Sequence, residues 1–501
     1  MSFVQTIRSS LYFFFVTSAF LFNSVHSVDT CSTIARAHPE ISTLYSQLVE
    51  YNVTLKDYWS TACSALKPSC ILLPRSAQQV SDILKVLGQN DEPFAVKSGG
   101  HSPNKYFASI AGGPLISTKL LNEVNYNALT ETVRVGPGNH WHNVSFAMQG
   151  TGRNAIGGRM GDVGVGGYLL GGGLGFLSAE HGWAANHILE AEVVLANATI
   201  VKASNTSNPD LLAAIKGGGG NFGIVTSFTL RTFPQDNVWG GIRLYTGGNT
   251  PALLAAIRDY TENNKDVKAG IIPTAEVTGA NFVNIWFVFF FYNGPKPPKD
   301  VFAKFMAIPS LVDTTKTRTY DDLVRFNNNF VIRNSIYTIA TETMPLPNAT
   351  VGAEVMQGIY DTWHKVATSV GRVPGAVASI AWQPMPKAII QASNQYGGIV
   401  LDLDDSADRI IIELDYSYFN SADDAQAEAA TVKTYTDIKD KVEGYIEAGK
   451  LPDVHLPLFM NDCYHRQDYW GRLKNKDRYM AIREKVDPEG FWKKRTKGFA
   501  I

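Results

Sequence analysis

Apolar and polar positions divide the chain into stretches of different texture. From Ile71 onward the pattern is α/β. Ile71-Leu72-Leu73-Pro74 reads as a short strand, and Val80, Ile83, Leu84 and Leu87 then fall at helical spacing between an opening Ser76 and a closing Gly88. Phe94 to Lys97, Leu115 to Ser117 and Thr132 to Val135 read as further strands. Residues 190–203 read as a hairpin turning near Asn197, Leu211 to Ile215 as a helix, and Gly223 to Phe233 as a strand. Beyond Pro234, helical patterns at 251–260, 351–370 and 421–448 alternate with long strands at 281–292 and 409–418. That alternation predicts an antiparallel sheet covered by helices. A loop from Leu451 to Trp470 and a charged helix around Lys474 to Lys485 close the chain. Before Ile71 the spacing predicts small helices, such as Ile41 to Val49.

Composition narrows the function classes. The chain has 501 residues, 45% hydrophobic and 18% charged, which suits two to three globular domains. Lys and Arg number 45 against 46 Asp and Glu, a net charge of −1, so no basic excess exists to neutralise nucleic-acid phosphates. No apolar run is long enough for an ordinary membrane span. Phe282 to Tyr292, interrupted by Asn284, reads as a buried strand. At the N-terminus, Arg8, the apolar run Leu11 to Phe22, and Val25 and Ser27 before a cut make residues 1–27 a secretory signal pattern. Five N-x-S/T acceptors, Asn52, Asn143, Asn197, Asn205 and Asn348, fit that route, with Asn143 near packed structure. The expected location is the secretory pathway, ending outside the cell or in vesicles or the wall. Some of the four cysteines, Cys31, Cys63, Cys70 and Cys463, should then pair, with three connectivities open.

Glycine is the informative residue. Of 43 glycines, many cluster in three loops: 98–102 (Ser-Gly-Gly-His-Ser), 157–175, and 217–223 (Gly-Gly-Gly-Gly-Asn-Phe-Gly). Backbone without Cβ atoms lets a ligand approach closely, and successive N–H groups make concave anion sites. One such loop is an ordinary turn; three point to a diphosphate ligand. Gly218, Gly220 and Gly223 match G-x-G-x-x-G, but a helix precedes and a strand follows, the reverse of the dinucleotide fingerprint. No G-x-x-x-x-G-K-[ST] and no G-x-S-x-G occurs. His140 and His142 lack a third ligand and read as a helix start, so no metal is expected.

The block from Leu73-Pro74-Arg75-Ser76 through Ser98-Gly99-Gly100-His101-Ser102 and Gly164-Val165-Gly166-Gly167 to Gly220-Asn221-Phe222-Gly223-Ile224-Val225 resembles the FAD-binding domain of the vanillyl-alcohol-oxidase / p-cresol-methylhydroxylase type. Asp462 to Trp492, with Asp487-Pro488-Glu489-Gly490-Phe491-Trp492, resembles the end of the berberine-bridge-enzyme-like branch, and within it the secreted fungal FAD-linked oxidoreductases of secondary metabolism. The resemblance implies an α+β fold. An FAD-binding domain (28–236) would be completed by a C-terminal segment (451–501), with a substrate domain of antiparallel sheet plus helices (237–450) between them.

It also implies chemistry at named positions. His101 stands where the family attaches FAD through an 8α-histidyl bond. Ser98, Gly99, Gly100, Ser102, Asp162, Val163, Gly166, Gly167, Gly172, Gly220, Gly223, Ile224 and Val225 stand at cofactor-binding places. Met160 occupies the place of a second, cysteinyl link in many relatives, and a thioether cannot replace a thiolate, so one covalent bond is expected. Flavin oxidation takes a hydride from substrate while a base removes a proton. Glu413 resembles the family's base position, and Asp415 and Ser417 share its strand face. Tyr464, with Asp462 and His465, lies in a loop that passes near the flavin in relatives. Trp382, Tyr396 and the aromatics of 282–292 are pocket candidates, though each alone is more often core. The expected activity is oxidation of a small organic, secondary-metabolite-like molecule with O2 as acceptor. The alternatives are a dehydrogenase with poor O2 reactivity, a flavin-dependent cyclase and a non-catalytic flavin-binding module. The partner expected is a small molecule, with no nucleic acid and no membrane span after signal removal.

Overall fold

The short buried strands of the α/β region pair locally, and the long strands beyond Pro234 pair only with one another. A computed structural model describes residues 29–278, 282–371 and 373–501, so the signal pattern of 1–27 lies outside the described residues. The first sheet holds β1 (Ser42–Leu44), β2 (Cys70–Leu73), β3 (Ala95–Lys97) and β4 (Pro114–Ser117), in the order β1-β2-β4-β3. β2, β3 and β4 run parallel, and β1 is antiparallel to β2. Ser76 caps the helix Ala77–Leu87, its hydroxyl accepting from Gln79 N–H, and Gly88 ends it. Val80, Ile83, Leu84 and Leu87 are buried against this sheet's core.

The helix expected over Ile41 to Val49 does not form. Residues 42–44 instead pair with β2, and the helix is Val49–Lys56. The Ile41/Leu44 spacing fits either element; the free edge of β2, about 30 residues away, decides. Cys31 and Cys70 form a disulfide, while Cys63 and Cys463 are free and buried.

The second sheet is antiparallel, built from β5 (Val124–Asn127), β6 (Thr132–Val135), β8 (Ile188–Val194), β9 (Ile200–Ser204) and β10 (Ile224–Arg231), in the order β5-β6-β10-β8-β9. The β8–β9 hairpin turns at Asn197, whose side chain accepts from Thr199 N–H. β7 (Arg153–Asn154) pairs with β11 (Phe233–Pro234), so the strand expected to Phe233 breaks at Thr232.

The third sheet has eight strands: β12 (Val238–Thr246), β13 (Ala269–Thr278), β14 (Val283–Tyr292), β15 (Val312–Asp313), β16 (Lys316–Arg318), β17 (Ile336–Pro345), β18 (Val377–Met385) and β19 (Arg409–Tyr418). Alternation assigns its two faces. Ile410, Ile412, Leu414 and Tyr416 of β19, with Trp286, Val288 and Phe290 of β14, pack beneath the helices Thr250–Asn263, Gly352–Ser369 and Asp424–Glu447. Their odd-numbered neighbours face the other way, toward the first two sheets. No helix among the described residues is long and apolar enough to cross a membrane.

The C-terminal segment returns to the beginning. Asp487 accepts from Phe491 N–H and Trp492 N–H, and Arg495 donates to the carbonyls of Leu87, Asn90 and Glu92. The Asn221 amide donates to Phe499 O, which fastens the tail over the third glycine loop.

Candidate functional site

Two of the three glycine loops touch backbone to backbone, and the third lines the same cavity. A Cβ on Gly99 would lie 2.5 Å from Gly164 Cα, and one on Gly164 would lie 2.5 Å from Gly99 N. Ser98 locks the junction: its hydroxyl donates to Pro137 O (2.5 Å) and accepts from Gly166 N–H (3.1 Å). Gly100 has φ +73°, and its carbonyl accepts from Trp59 N–H at 3.1 Å. This bend carries His101 into a cavity of about 490 Å³ bounded by the glycine loops, the C-terminal segment and the inner face of the third sheet. Ser98, Gly99, Gly100, Ser102, Met160, Val163, Gly166, Gly167, Gly220, Gly223, Ile224 and Val225 all line it.

At Gly167 and Gly220 a Cβ would meet no protein atom within 4 Å. Bare backbone therefore faces the open cavity there, as a flat cofactor with a diphosphate requires. Lys493 and Lys497, beside the third loop, add cationic lining. The residues present fit FAD.

His101 stacks on Trp59, ring centroids 4.7 Å apart, and Trp59 in turn packs on Tyr337 at 4.3 Å. Burial holds the imidazole pKa down at about 4; Asp162 pulls against it, and His140 and Arg333 push the same way as burial. At neutral pH His101 therefore presents a neutral ring with a free lone pair.

Opposite the glycines, β13, β18 and β19 present a band of carboxyls. Glu276, Ser379 and Asp415 stand opposite one another across three strands, and Thr274, Ala381 and Glu413 form the next rung. All six line the cavity, with Asp462 joining from the C-terminal loop. The Asp462 carboxylate accepts from the Gln383 amide (2.8 Å), and the Gln383 carbonyl accepts from Arg159. Burial, then the charge of Asp415, pushes Glu413 up to about 8; burial alone pushes Glu276 up to about 7. Asp415 and Asp462 are raised too, first by burial and then by neighbouring carboxylates. Around this band the walls are apolar: Phe287, Phe289, Phe330, Ile272 and Ile339.

Three expected site residues lie elsewhere. Tyr464 does not line the cavity; it is 2% exposed in the core beneath the helices, against Tyr435 and His465. Position in a loop does not set which way a side chain points, and it is Asp462 of the same loop that reaches the cavity. Asp162 anchors its loop instead, bonded to Asn328 and Arg333 with His142 at 3.4 Å; His142 first, and Arg333 second, hold its carboxyl down at about 2. Gly172 has φ +107° and packs on Ile399, off the cavity. Among the aromatic candidates, Trp382 is core under the helices and Tyr396 packs on His187, while Phe287 and Phe289 face the cavity. Glu276 and Arg159 escaped the sequence reading. For Glu276 a signal existed: Thr274 and Glu276 alternate with Ala275 and Val277. His140 opens the helix Trp141–Ala147 as expected.

A family model described as an FAD binding domain matches residues 68–204. An FAD-linked oxidoreductase of Arthroderma benhamiae is 42% identical over 453 residues, 90% of each chain. An FAD-dependent monooxygenase of Aspergillus calidoustus is 32% identical, covering 90% of this chain and 86% of its own. Among solved structures, the glucooligosaccharide oxidase of Acremonium strictum, which carries a 6-S-cysteinyl, 8α-N1-histidyl FAD, superposes with a TM-score of 0.74 at 18% identity, covering 94% of this chain and 99% of that one. That likeness establishes the fold, a mixed helix-and-sheet arrangement of the kind the glycine motifs resemble.

Proposed function

The chain belongs to the FAD-linked oxidoreductases, and from that premise we propose that it is a secreted oxidase. It would hold FAD by one covalent bond through His101 and oxidise a small, secondary-metabolite-like organic molecule, with O2 as the final acceptor. FAD, held at His101 and the glycine loops, would supply the hydride acceptor, and its reoxidation by O2 would yield H2O2. The protein's share is to bind, orient and move a proton.

The neutral imidazole of His101, steadied by Trp59, is the form that makes a bond to an electrophilic carbon. Met160 lines the same cavity but offers no thiolate, which supports a single link. Ser98 and the Gly99/Gly164 contact keep the two backbone loops at a fixed separation across the cofactor seat. Glu413 takes the proton from a substrate O–H or N–H. Burial first, and the charge of Asp415 second, push Glu413 up to about 8, so the base form grows as pH rises toward that value.

We also propose the division into 28–236, 237–450 and 451–501, which follows the boundary between the second and third sheets and the return of the tail. Export is supported by the Cys31–Cys70 disulfide and by the exposure of all five acceptor asparagines, Asn52, Asn143, Asn197, Asn205 and Asn348.

The observation that carries the reading is the convergence on one cavity of His101, the bare backbone at Gly167 and Gly220, and the Glu413–Asp415 pair. The test is anaerobic mixing of the holoprotein with a panel of small alcohols and amines. A substrate bleaches the visible flavin band, and air restores it with release of H2O2. Glu413→Gln slows bleaching by about a hundredfold or more. Bleaching at the unaltered rate in that variant removes Glu413 as the base, and colour that does not return in air removes the oxidase reading.

A further inference from the structure

The carboxyl band is larger than proton abstraction needs. Four acidic side chains from three separate elements line one cavity: Glu276 on β13, Glu413 and Asp415 on β19, and Asp462 in the returning loop. The cross-strand register puts Glu276 and Asp415 on one rung with only Ser379 between them. The buried Asp415 Oδ1 has no hydrogen-bond partner. A single base would be served by Glu413 alone, and carboxyls held together in one cavity oppose one another's ionisation.

Arg159 is the cation whose charge reaches Glu413 and Asp462, and its guanidinium is engaged with Gln383. Lys493 and Lys497 line the same cavity beside the third glycine loop, but their charges are not among those that shift Glu276, Glu413, Asp415 or Asp462; Tyr337 and His101 also line it. The tyrosine hydroxyl is held neutral by burial first and by Asp415 second, and the imidazole is neutral as well. Neither can compensate the carboxylates. The surrounding walls are phenylalanine and isoleucine. A sugar would set hydroxyls against those phenylalanine and isoleucine walls and leave the apolar surface unmatched. An ammonium on an apolar body satisfies both parts, its three donors meeting acceptors left open and its body covering the rings.

We propose that this acidic face recognises a cationic amine with an apolar, aromatic-sized body, its ammonium seated between Glu276, Asp415 and Glu413. The inference rests on the reading of the cavity as the substrate site. Glu276 is then a specificity residue: it selects charge and moves no proton in the reaction. Binding of the cation draws the carboxyls into their ionised form, so protons leave as the amine enters.

The test uses the holoprotein and a graded panel of arylalkylamines, from benzylamine to tryptamine, each paired with its isosteric alcohol. Binding is read calorimetrically without air, in two buffers of different ionisation enthalpy. The expected result is at least one amine binding about tenfold or more tightly than its alcohol, with proton release. Glu276→Gln should erase most of that preference, and flavin in the acid pellet shows that the variant is folded. No amine in the panel exceeding its alcohol overturns the proposal. So does a preference that persists in Glu276→Gln and in the Glu276→Gln/Asp415→Asn double variant. The two readings fail separately. Flavin bleached by neutral alcohols alone would sink the amine inference and leave the oxidase. Protein without flavin would sink the oxidase, while amine binding read by tryptophan fluorescence would still report the acidic face.

Discussion

Gly164→Ala and Gly167→Ala should have opposite effects, although the two glycines are three residues apart. A Cβ on Gly164 would sit 2.5 Å from Gly99 N, 2.6 Å from Gly99 Cα and 3.2 Å from Ser98 Oγ. Ordinary carbon contacts are about 3.5–4.0 Å, so the two loops must part by about 1 Å. That movement stretches the Ser98 bonds to Pro137 O and Gly166 N–H, now 2.5 and 3.1 Å. Overpacking of this kind costs about 1–3 kcal/mol, and each lost hydrogen bond adds about 0.5–1.5 kcal/mol. At Gly167 the added methyl meets no protein atom within 4 Å and lies in the helix Val165–Leu170, where alanine is favoured over glycine by up to about 1 kcal/mol. The assay is urea unfolding of flavin-free protein in a His101→Ala background, with flavin content measured separately in the His101 protein. Gly164→Ala should lower the midpoint. Gly167→Ala should hold or raise it and yet lose flavin. Full flavin content in Gly167→Ala would refute the assignment of that open backbone to the cofactor, and an unmoved midpoint in Gly164→Ala would refute the backbone clamp.

Three further outcomes follow from the same geometry. Asp415→Asn removes the charge that raises Glu413, so the acid limb of kcat/KM against pH should move to lower pH; a limb that stays or rises contradicts the coupling. Glu413 is raised from 4.5 to about 8 on folding, so its neutral form stabilises fully below about pH 4.5, and that stability is lost as pH rises through about 8. The urea midpoint of flavin-free protein should accordingly fall from about pH 5 to about pH 9, and Glu413→Gln should flatten part of the fall. Met160→Cys puts a thiol into the cavity lining, and in a His101→Ala background it should restore acid-stable flavin on the peptide carrying residue 160.

What the sequence made legible was local chemistry and strand alternation. Ser76 and Gly88 mark a helix by capping alone, and the odd/even split of β19 separates Glu413 and Asp415 from Ile412 and Leu414 without any tertiary information. The spacing of three glycine loops pointed to a diphosphate before any contact between them was known. What escaped depended on distant partners. Ile41 to Leu44 carries an ambiguous spacing that the edge of β2 resolves as a strand. Glu276 becomes part of the site only through its register with Ser379 and Asp415, more than a hundred residues away. Tyr464 and Asp462 sit two residues apart in one irregular loop, and only packing decides that the acid, not the phenol, faces the cavity.

The central claim is a single covalent bond between FAD and His101. Protein secreted from a eukaryotic host would be precipitated with acid, digested and mapped for flavin-bearing peptides. The expected result is a yellow pellet with flavin on the peptide containing His101 and on no other. Flavin released wholly into the supernatant, or flavin attached to a second residue, would contradict it.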